Sequence, residues 1–403
     1  MSSSRASSAA APTGAPAHAP AGPAPSPGAS GTPGGTAAVV WGRAEQQDFR
    51  SRVRGALLGG AVGDALGAAV DPLPLAEIRQ AHGPTGVLDL LPAYGRRGAI
   101  TATTQLTLFT VDGLIRAQVR RDTGAWHPPT DLHRAYLRWS ATQHDWGPDE
   151  RRADDGWLAR EEWLYQRRSP GRDTLGALRE PTMGTLADPR NPDSPDPAAV
   201  ARSAPFGLLV GWEPQLVFQL AAECAAQTHG SPASLLASGA FAVLVHGLTR
   251  GEGPATAVQR ALAQLAARPG HESVTAALGA ALDAVRQGPP TPEQVTGLGD
   301  ARTPEGVLAV ALYCALVGAD LRHGLRLAVN HDGASATTGA LCGALLGAMH
   351  GETALPPDWV AELEGRPTVL ELADDFAMEM TQGPALHGPT TGAPGWLARY
   401  PRA

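Results

Sequence analysis

The sequence predicts an all-α fold in one compact domain, and two observations support that prediction. Segments rich in Ala, Leu and Arg follow one another along the chain, with apolar residues three or four positions apart and Gly or Pro clusters between them. Alternating runs of β-branched residues are almost absent, and residues 86–90, Gly-Val-Leu-Asp-Leu, are the one short stretch that could be extended. We therefore expect helices to form the core.

In chain order, the periodicity predicts helices over residues 53–70, 104–120, 132–142, 157–166, 216–227, 232–248, 256–267, 273–286, 304–317, 321–329 and 340–349. The first and the last resemble membrane helices, but both are shorter than the roughly 20 residues that span a bilayer. Asp64, inside the first, would also be costly in a membrane. We expect no membrane partner.

The chain divides into two parts by composition. Residues 1–40 are almost entirely Ala, Pro, Ser and Gly, a composition that cannot bury enough apolar surface to offset the entropy of ordering. We expect a disordered tail there, and it lacks the charged start and apolar stretch of a secretory signal. Residues 45–400 are long enough for one large domain with a substantial core.

Charge and cysteine content exclude several classes of function. The 403 residues carry a formal net charge of −7, and all 32 cations are arginine. The absence of lysine excludes Schiff-base chemistry and a Walker-A phosphate clamp, and the net acidic chain argues against a nucleic-acid partner. Cys224, Cys314 and Cys342 lie far apart in apolar segments, which predicts buried reduced thiols and a cytoplasmic location rather than a zinc site.

A ladder of glycines spaced four residues apart occurs twice. The first contains Gly55, Gly59, Gly63 and Gly67, and the second contains Gly339, Gly343, Gly347 and Gly351. A spacing of four places the glycines on one face of a helix, where another backbone can approach. Because each glycine costs roughly 0.5–1 kcal/mol relative to Ala in a helix, we expect either tight helix–helix packing or two helices that wall a cleft.

Polar residues stand at the ends of these segments. Asp64 lies among small apolar residues and needs a partner, either a neighbouring helix terminus or a polar cleft. The Thr-rich stretches 100–105 and 330–339 each precede a predicted helix, and their hydroxyls are typical N-caps. Helix N-termini that point to one cleft also favour an anionic ligand.

Five segments, in order, carry a resemblance to a known family. They are Gly55-Ala-Leu-Leu-Gly-Gly-Ala-Val-Gly-Asp-Ala-Leu-Gly67, Tyr94-Gly-Arg-Arg-Gly-Ala-Ile-Thr101, Arg202-Ser-Ala-Pro-Phe-Gly207, Thr228-His-Gly230 and residues 330–351. Together they resemble the ADP-ribosylglycohydrolase family, which includes the dinitrogenase reductase-activating glycohydrolase. The resemblance runs from about residue 52 to 400. It implies a compact all-α fold, an ADP-ribose cleft with two magnesium ions, and hydrolysis of the glycosidic bond between ADP-ribose and its acceptor.

The sequence departs from the family at the implied metal ligands. Two aspartates that follow Thr101 in the family are Ala102 and Thr103 here, and a second pair is Ala334 and Ala336. Among the implied ligands, only the hydroxyls of Thr101 and Thr337 remain. Because magnesium favours carboxylate oxygens in octahedral geometry, we expect the binuclear site to be lost and no cofactor to be bound.

The loop ahead of Arg202 departs as well. The family's Gly-Cys-Gly aligns with Asp196-Pro197-Ala198, where proline removes a backbone donor and the glycine flexibility is lost. The residues that we assign to ligand binding by this resemblance are Asp64, Asp71, Thr101, Arg202, His229, Glu305, Asn330 and Asp332. Arg202 could meet a diphosphate or pair with a nearby Asp, and His229 could be a structural hydrogen-bonding residue. No catalytic residue is assigned.

Three functional interpretations follow. The first is a pseudo-glycohydrolase that binds ADP-ribose, a related nucleotide or an ADP-ribosylated protein. The second is a hydrolase with an altered mechanism, in which Asp64, Asp71 or Asp332 acts with water. The third is a scaffold whose cleft has closed. An open polar pocket between the ladder helices favours the first two, and a pocket filled by apolar side chains favours the third.

Overall fold

The predicted all-α fold is confirmed. The structure is a computed structural model and describes residues 41–121, 126–144, 156–387 and 395–402. Within these ranges there are eighteen α-helices: α1 Arg43–Gly67, α2 Leu75–His82, α3 Ala102–Arg121, α4 Pro128–Thr142, α5 Arg172–Ala177, α6 Ala198–Ala201, α7 Ala204–Gly207, α8 Pro214–Ala226, α9 Pro232–Leu248, α10 Pro254–Ala266, α11 Glu272–Ala284, α12 Pro292–Thr296, α13 Pro304–Val317, α14 Leu321–Val329, α15 Ser335–His350, α16 Pro357–Glu362, α17 Arg366–His387 and α18 Trp396–Arg399.

Short elements complete the described chain. Three 3₁₀ turns cover Leu158–Arg160, Glu162–Tyr165 and Glu352–Ala354, and one antiparallel ribbon joins β1 Pro92–Ala93 to β2 Arg96–Arg97. The predicted tail, residues 1–40, lies outside the described residues, so the division into tail and domain stays a prediction. No helix in the described ranges is both long and apolar enough to cross a membrane.

Helices α1 and α15 lie at the centre and pack antiparallel through their glycine ladders. A Cβ built on any ladder glycine except Gly351 would overlap backbone atoms of the facing helix, closer than the 3.0 Å that real Cβ atoms respect. The facing pairs are Gly55 with Gly347, Gly59 with Gly343, and Gly63 with Gly339. The ladders therefore bring two backbones into direct contact, which is the tight helix–helix packing given as one of the two alternatives.

Serine replaces glycine as the facing residue at both ends of this contact. Gly67 faces Ser335 at the first residue of α15, and Gly351 faces Ser51. Gly351 also ends α15 with a φ of +75°, a conformation that glycine adopts without strain. The other helices surround the central pair: α9, α13 and α14 pack on α15, α17 packs on α1, and α3 packs on both.

Parts of the helix prediction were wrong. Residues 157–166 form two 3₁₀ turns, because Glu161 between them is extended and its carboxylate accepts bonds from Trp163 Nε1 and Thr368 Oγ1. Residues 86–90, the stretch that could be extended, belong to no strand of the structure, and the backbone N–H and C=O of Val87 are hydrogen-bonded to the side chain of Asn330. Helix α17 was missed, although its buried Val369, Leu372, Ala373 and Phe376 follow helical spacing.

The buried thiols were predicted correctly. Cys224, Cys314 and Cys342 are free and buried. Burial raises the pKa of all three thiols well above the usual range for cysteine. They act as small apolar residues of the core.

We expect Gly63→Ala to lower the free energy of unfolding by about 2–3 kcal/mol or more, because the new Cβ would overlap the backbone of Gly339. Gly60→Ala is the matched control in the same helix, since its Cβ would make ordinary contact 3.4 Å from the carbonyl oxygen of Ala340. Urea denaturation of both variants measures the difference. Equal stability of the two variants would contradict the backbone contact.

Candidate functional site

Three helix ends meet where the α1–α15 contact ends. Because the two helices are antiparallel, the last turn of α1 lies beside the first turn of α15, with Gly67 against Ser335. Asp64, in that last turn of α1, reaches the first turn of α3. Backbone N–H groups at the starts of two helices therefore converge on one region, which we call the helix-end site.

Asp64 caps α3. Its carboxylate accepts the N–H and the hydroxyl of Thr101 at 2.8 and 2.7 Å, and the N–H and the hydroxyl of Thr104 at 3.2 and 2.5 Å. The side chain is fully buried. Burial raises the pKa of Asp64 to about 6, although the bonds from Thr104 and Thr101 act in the opposite direction. Of the two alternatives drawn from the sequence, the neighbouring helix terminus is the correct one.

Asp71 caps α15. Its Oδ2 accepts the N–H of Ala336 at 2.8 Å, whereas the hydroxyl of Ser335 has no hydrogen-bond partner. The predicted capping of this helix by its own hydroxyls is therefore replaced by a carboxylate from the segment after α1. Burial raises the pKa of Asp71 to about 6, and the nearby carboxylates of Asp64 and Asp196 raise it further.

Asp332 and Asn330 hold neighbouring segments in place. Asp332 Oδ1 accepts the N–H of Leu75 at 2.6 Å and so caps α2. Asn330 is buried, and besides both bonds to Val87 its amide donates to the carbonyl of Arg326 at 2.7 Å. The amide of Asn330 and one carboxylate oxygen of Asp332 are thus engaged by the fold.

Arg202 and His229 form a buried wall on the other side of the site. The guanidinium of Arg202 donates to Thr228 Oγ1 at 2.6 Å and lies 4.5 Å above the ring of Tyr136. His229 Nδ1 lies 2.9 Å from the same hydroxyl, and His229 Nε2 lies 3.8 Å from Asp196 Oδ2. Arg202 is only 1% exposed, so the side chains that cover it would have to move before a diphosphate could contact it.

Two further groups complete the region. Glu305, in the first turn of α13, is partly buried and its Oε2 has no hydrogen-bond partner. The loop before α13 lies against the loop before α15, since Ala334 donates its N–H to the carbonyl of Ala301 at 2.9 Å. His331 is buried, its Nε2 lies 2.7 Å from Thr338 Oγ1, and burial lowers its pKa.

The residues present do not fit a binuclear magnesium site. The positions implied by the resemblance lie at the starts of α3 and α15, as predicted, but alanine side chains offer no oxygen there. Both oxygens of Asp64 are already bonded, and Asp71 faces the N–H groups of α15. Within the described ranges, no three His, Cys, Asp or Glu side chains converge as a metal cluster. The six positions are Thr101, Ala102, Thr103, Ala334, Ala336 and Thr337.

A narrow cavity lies beneath the start of α3, between α1 and α15. Its volume is about 10 Å³, room for one water molecule. Thr103, Thr104 and Thr107 line one side, and small apolar residues such as Ala340 and Ala344 line the other. This cavity lacks the charged side chains that a nucleotide pocket would need, and its small, mainly apolar lining is the outcome that the sequence analysis assigned to the scaffold.

Asp196 and Thr104 are the members of the site that the sequence analysis did not assign. Thr104 was recognised only as part of a Thr-rich junction. Asp196 was noted for the loss of a glycine loop, and its proximity to His229 depends on a fold contact between distant segments. The one signal in the sequence that pointed to Asp196 was its place in Asp196-Pro197-Ala198, the segment that aligns with the family's Gly-Cys-Gly loop.

We expect stability to depend on the proton of Asp64. Its pKa is raised from 3.8 to about 6, so between these pH values the folded chain holds a proton that the unfolded chain has released. The stabilisation is fully present below about pH 4 and is lost as the pH rises through 6. Relative to Asp64→Asn, the wild-type free energy of unfolding should fall by ~2–3 kcal/mol from pH 4 to 6.

Urea denaturation at several pH values measures this difference. The control is Asp193→Asn, which removes one exposed carboxylate and should give no comparable change with pH. A difference between wild type and Asp64→Asn that stays constant from pH 4 to 6 would contradict the assignment of a raised pKa to Asp64.

Comparisons with known proteins agree with the helical fold. The sequence profile described as ADP-ribosylglycohydrolase matches residues 45–385. An uncharacterized protein of Archaeoglobus fulgidus is 25% identical over 335 residues, covering 81% of this chain and 95% of that protein. A solved chain described as an ADP-ribosylglycohydrolase-related protein complex is 27% identical with a TM-score of 0.54, covering 83% of this chain and 100% of that one.

The profile match extends over far more than half of the chain, and the helical fold agrees with the structural match. The resemblance inferred from the five sequence segments is thereby confirmed. The chain belongs to the ADP-ribosylglycohydrolase family.

Proposed function

We propose that this protein is a catalytically inactive member of its family, which binds ADP-ribose or a related nucleotide without a binuclear magnesium site. One observation carries the proposal: the starts of α3 and α15 present alanine and threonine side chains, while the nearby carboxylates are bonded to helix N-termini. Neutral hydroxyls cannot offset the four positive charges of two divalent cations.

The same helix ends support binding of an anionic ligand. Two helix N-termini carry partial positive charge and lie beside the site, and Asp64 and Asp71 already accept N–H groups of their first turns. Thr103 and Thr337 stand in their first turns and add neutral hydroxyl groups.

A second candidate function has support from Asp71. This carboxylate is partly exposed, and burial raises its pKa to about 6, in the range useful for a general acid or base. A hydrolase of ADP-ribosyl glycosidic bonds with an altered mechanism would place its proton transfer on this residue. The reduced, buried cysteines suit either function in the cytoplasm, where we expect the protein to act.

Calorimetric titration with ADP-ribose, in magnesium buffer and in chelator, tests the binding proposal. We expect the same micromolar affinity in both buffers, because the residues present offer the cations no carboxylate ligands. A control with Ala102→Asp, Thr103→Asp, Ala334→Asp and Ala336→Asp together restores the family ligands and should make binding depend on magnesium. Wild-type binding that requires magnesium would contradict the proposal, and no heat in either buffer would favour a scaffold.

Incubation with peptides that carry ADP-ribose on arginine or serine separates the two candidates. We expect no release of free ADP-ribose above the rate without protein. Release by the wild type that is lost in Asp71→Asn, with Asp193→Asn as the charge-matched control, would establish the altered hydrolase instead.

A further inference from the structure

The carboxylate of Asp196 occupies a place where the surrounding groups are hydrogen-bond donors and cations. Its Oδ1 accepts the N–H of Ala198 at 2.9 Å, and its Oδ2 lies 3.8 Å from Nε2 of His229. The carboxylate itself remains about one-third exposed. Asp196 therefore lies on the open side of the buried wall described above.

Two buried donors of that wall have no hydrogen-bond partner. They are Nε2 of His229, which is fully buried, and Nη1 of Arg202, which is 1% exposed. Leaving a buried polar group unpaired is costly, and more so when the group is charged. An anionic group such as phosphate would pair with these nitrogen atoms through charge-assisted hydrogen bonds.

The segment that carries Asp196 is fastened to this wall. Asn191 donates its amide to the carbonyl of Thr228 at 2.8 Å, and Ser194 Oγ lies 2.5 Å from the carboxylate of Asp173. The N–H of Asp196 in turn donates to Ser194 Oγ at 3.2 Å. The backbone around Asp196 is thus held, and its side chain is the part that can turn away.

We propose that Asp196 is a built-in competitor for anionic ligands, occupying the position that a phosphate group would take against His229 and Arg202. The inference deepens the proposed function and rests on it, since it names the group that limits affinity for the diphosphate. An arriving phosphate must displace Asp196 from His229, and it then enters a site that still contains the carboxylate of Asp71.

Electrostatics supports the competition. Burial acts to raise the pKa of Asp196, but His229, the N–H of Ala198 and the charge of Arg202 outweigh it and hold that pKa below its usual range. Asp196 is therefore ionised at neutral pH. Its negative charge interacts with the carboxylate of Asp71, and both residues would repel a further anion.

Titration with inorganic pyrophosphate and with ADP-ribose, both in chelator, tests this inference. Asp196→Asn keeps the shape of the side chain and removes its charge, so we expect affinity for both probes to rise at least tenfold. Asp193→Asn is the matched control: it removes one exposed charge three residues away and should leave both affinities unchanged. Adding His229→Gln to Asp196→Asn should cancel the gain.

The outcomes separate this inference from the proposed function. Unchanged affinity in Asp196→Asn, with wild type still binding ADP-ribose, overturns the competitor and leaves the function intact. Tighter pyrophosphate binding in Asp196→Asn, without ADP-ribose binding in any variant, supports the role of Asp196 as a competitor. It overturns the proposal that the ligand is ADP-ribose or a related nucleotide. Failure of both probes in every variant overturns both. Asp196→Ser, checked for thermal stability beside Asp196→Asn, excludes misfolding as the cause of a lost signal.

Discussion

Helices α1 and α15 touch backbone to backbone over successive turns, and this contact determines where the other parts of the site lie. Glycines at a spacing of four make it possible, because any side chain there would overlap the facing helix. The antiparallel direction then places the end of α1 at the start of α15. Asp64, in the last turn of α1, then lies at the N-terminus of α3. Asp71, shortly after α1, lies at the N-terminus of α15.

Helix N-termini and a magnesium ion would compete for the same carboxylates. Free N–H groups at a helix start need acceptors, and a magnesium ion also needs acceptors. In this chain Asp64 and Asp71 serve the helices, and the positions from which family members supply further carboxylates hold Ala102, Ala334 and Ala336. The fold is thereby kept without the metal ligands.

Much of the architecture could be predicted from the sequence because it follows from local periodicity. The glycine ladders predicted a close approach of helices, and an aspartate among small residues predicted a capping partner. Residues 86–90 and 157–166 could not be predicted, because side chains from distant segments, Asn330 and Thr368, decide their conformation. Asp196 was missed for the same reason, because its role depends on His229, a residue distant in sequence that lies next to it in the fold.

The most direct test of this account is a titration with manganese, a paramagnetic substitute for magnesium, in which electron paramagnetic resonance measures the free ion. The account predicts no stoichiometric binding below millimolar concentration, because the starts of α3 and α15 lack carboxylate ligands. Two manganese ions bound per chain with micromolar affinity would contradict it.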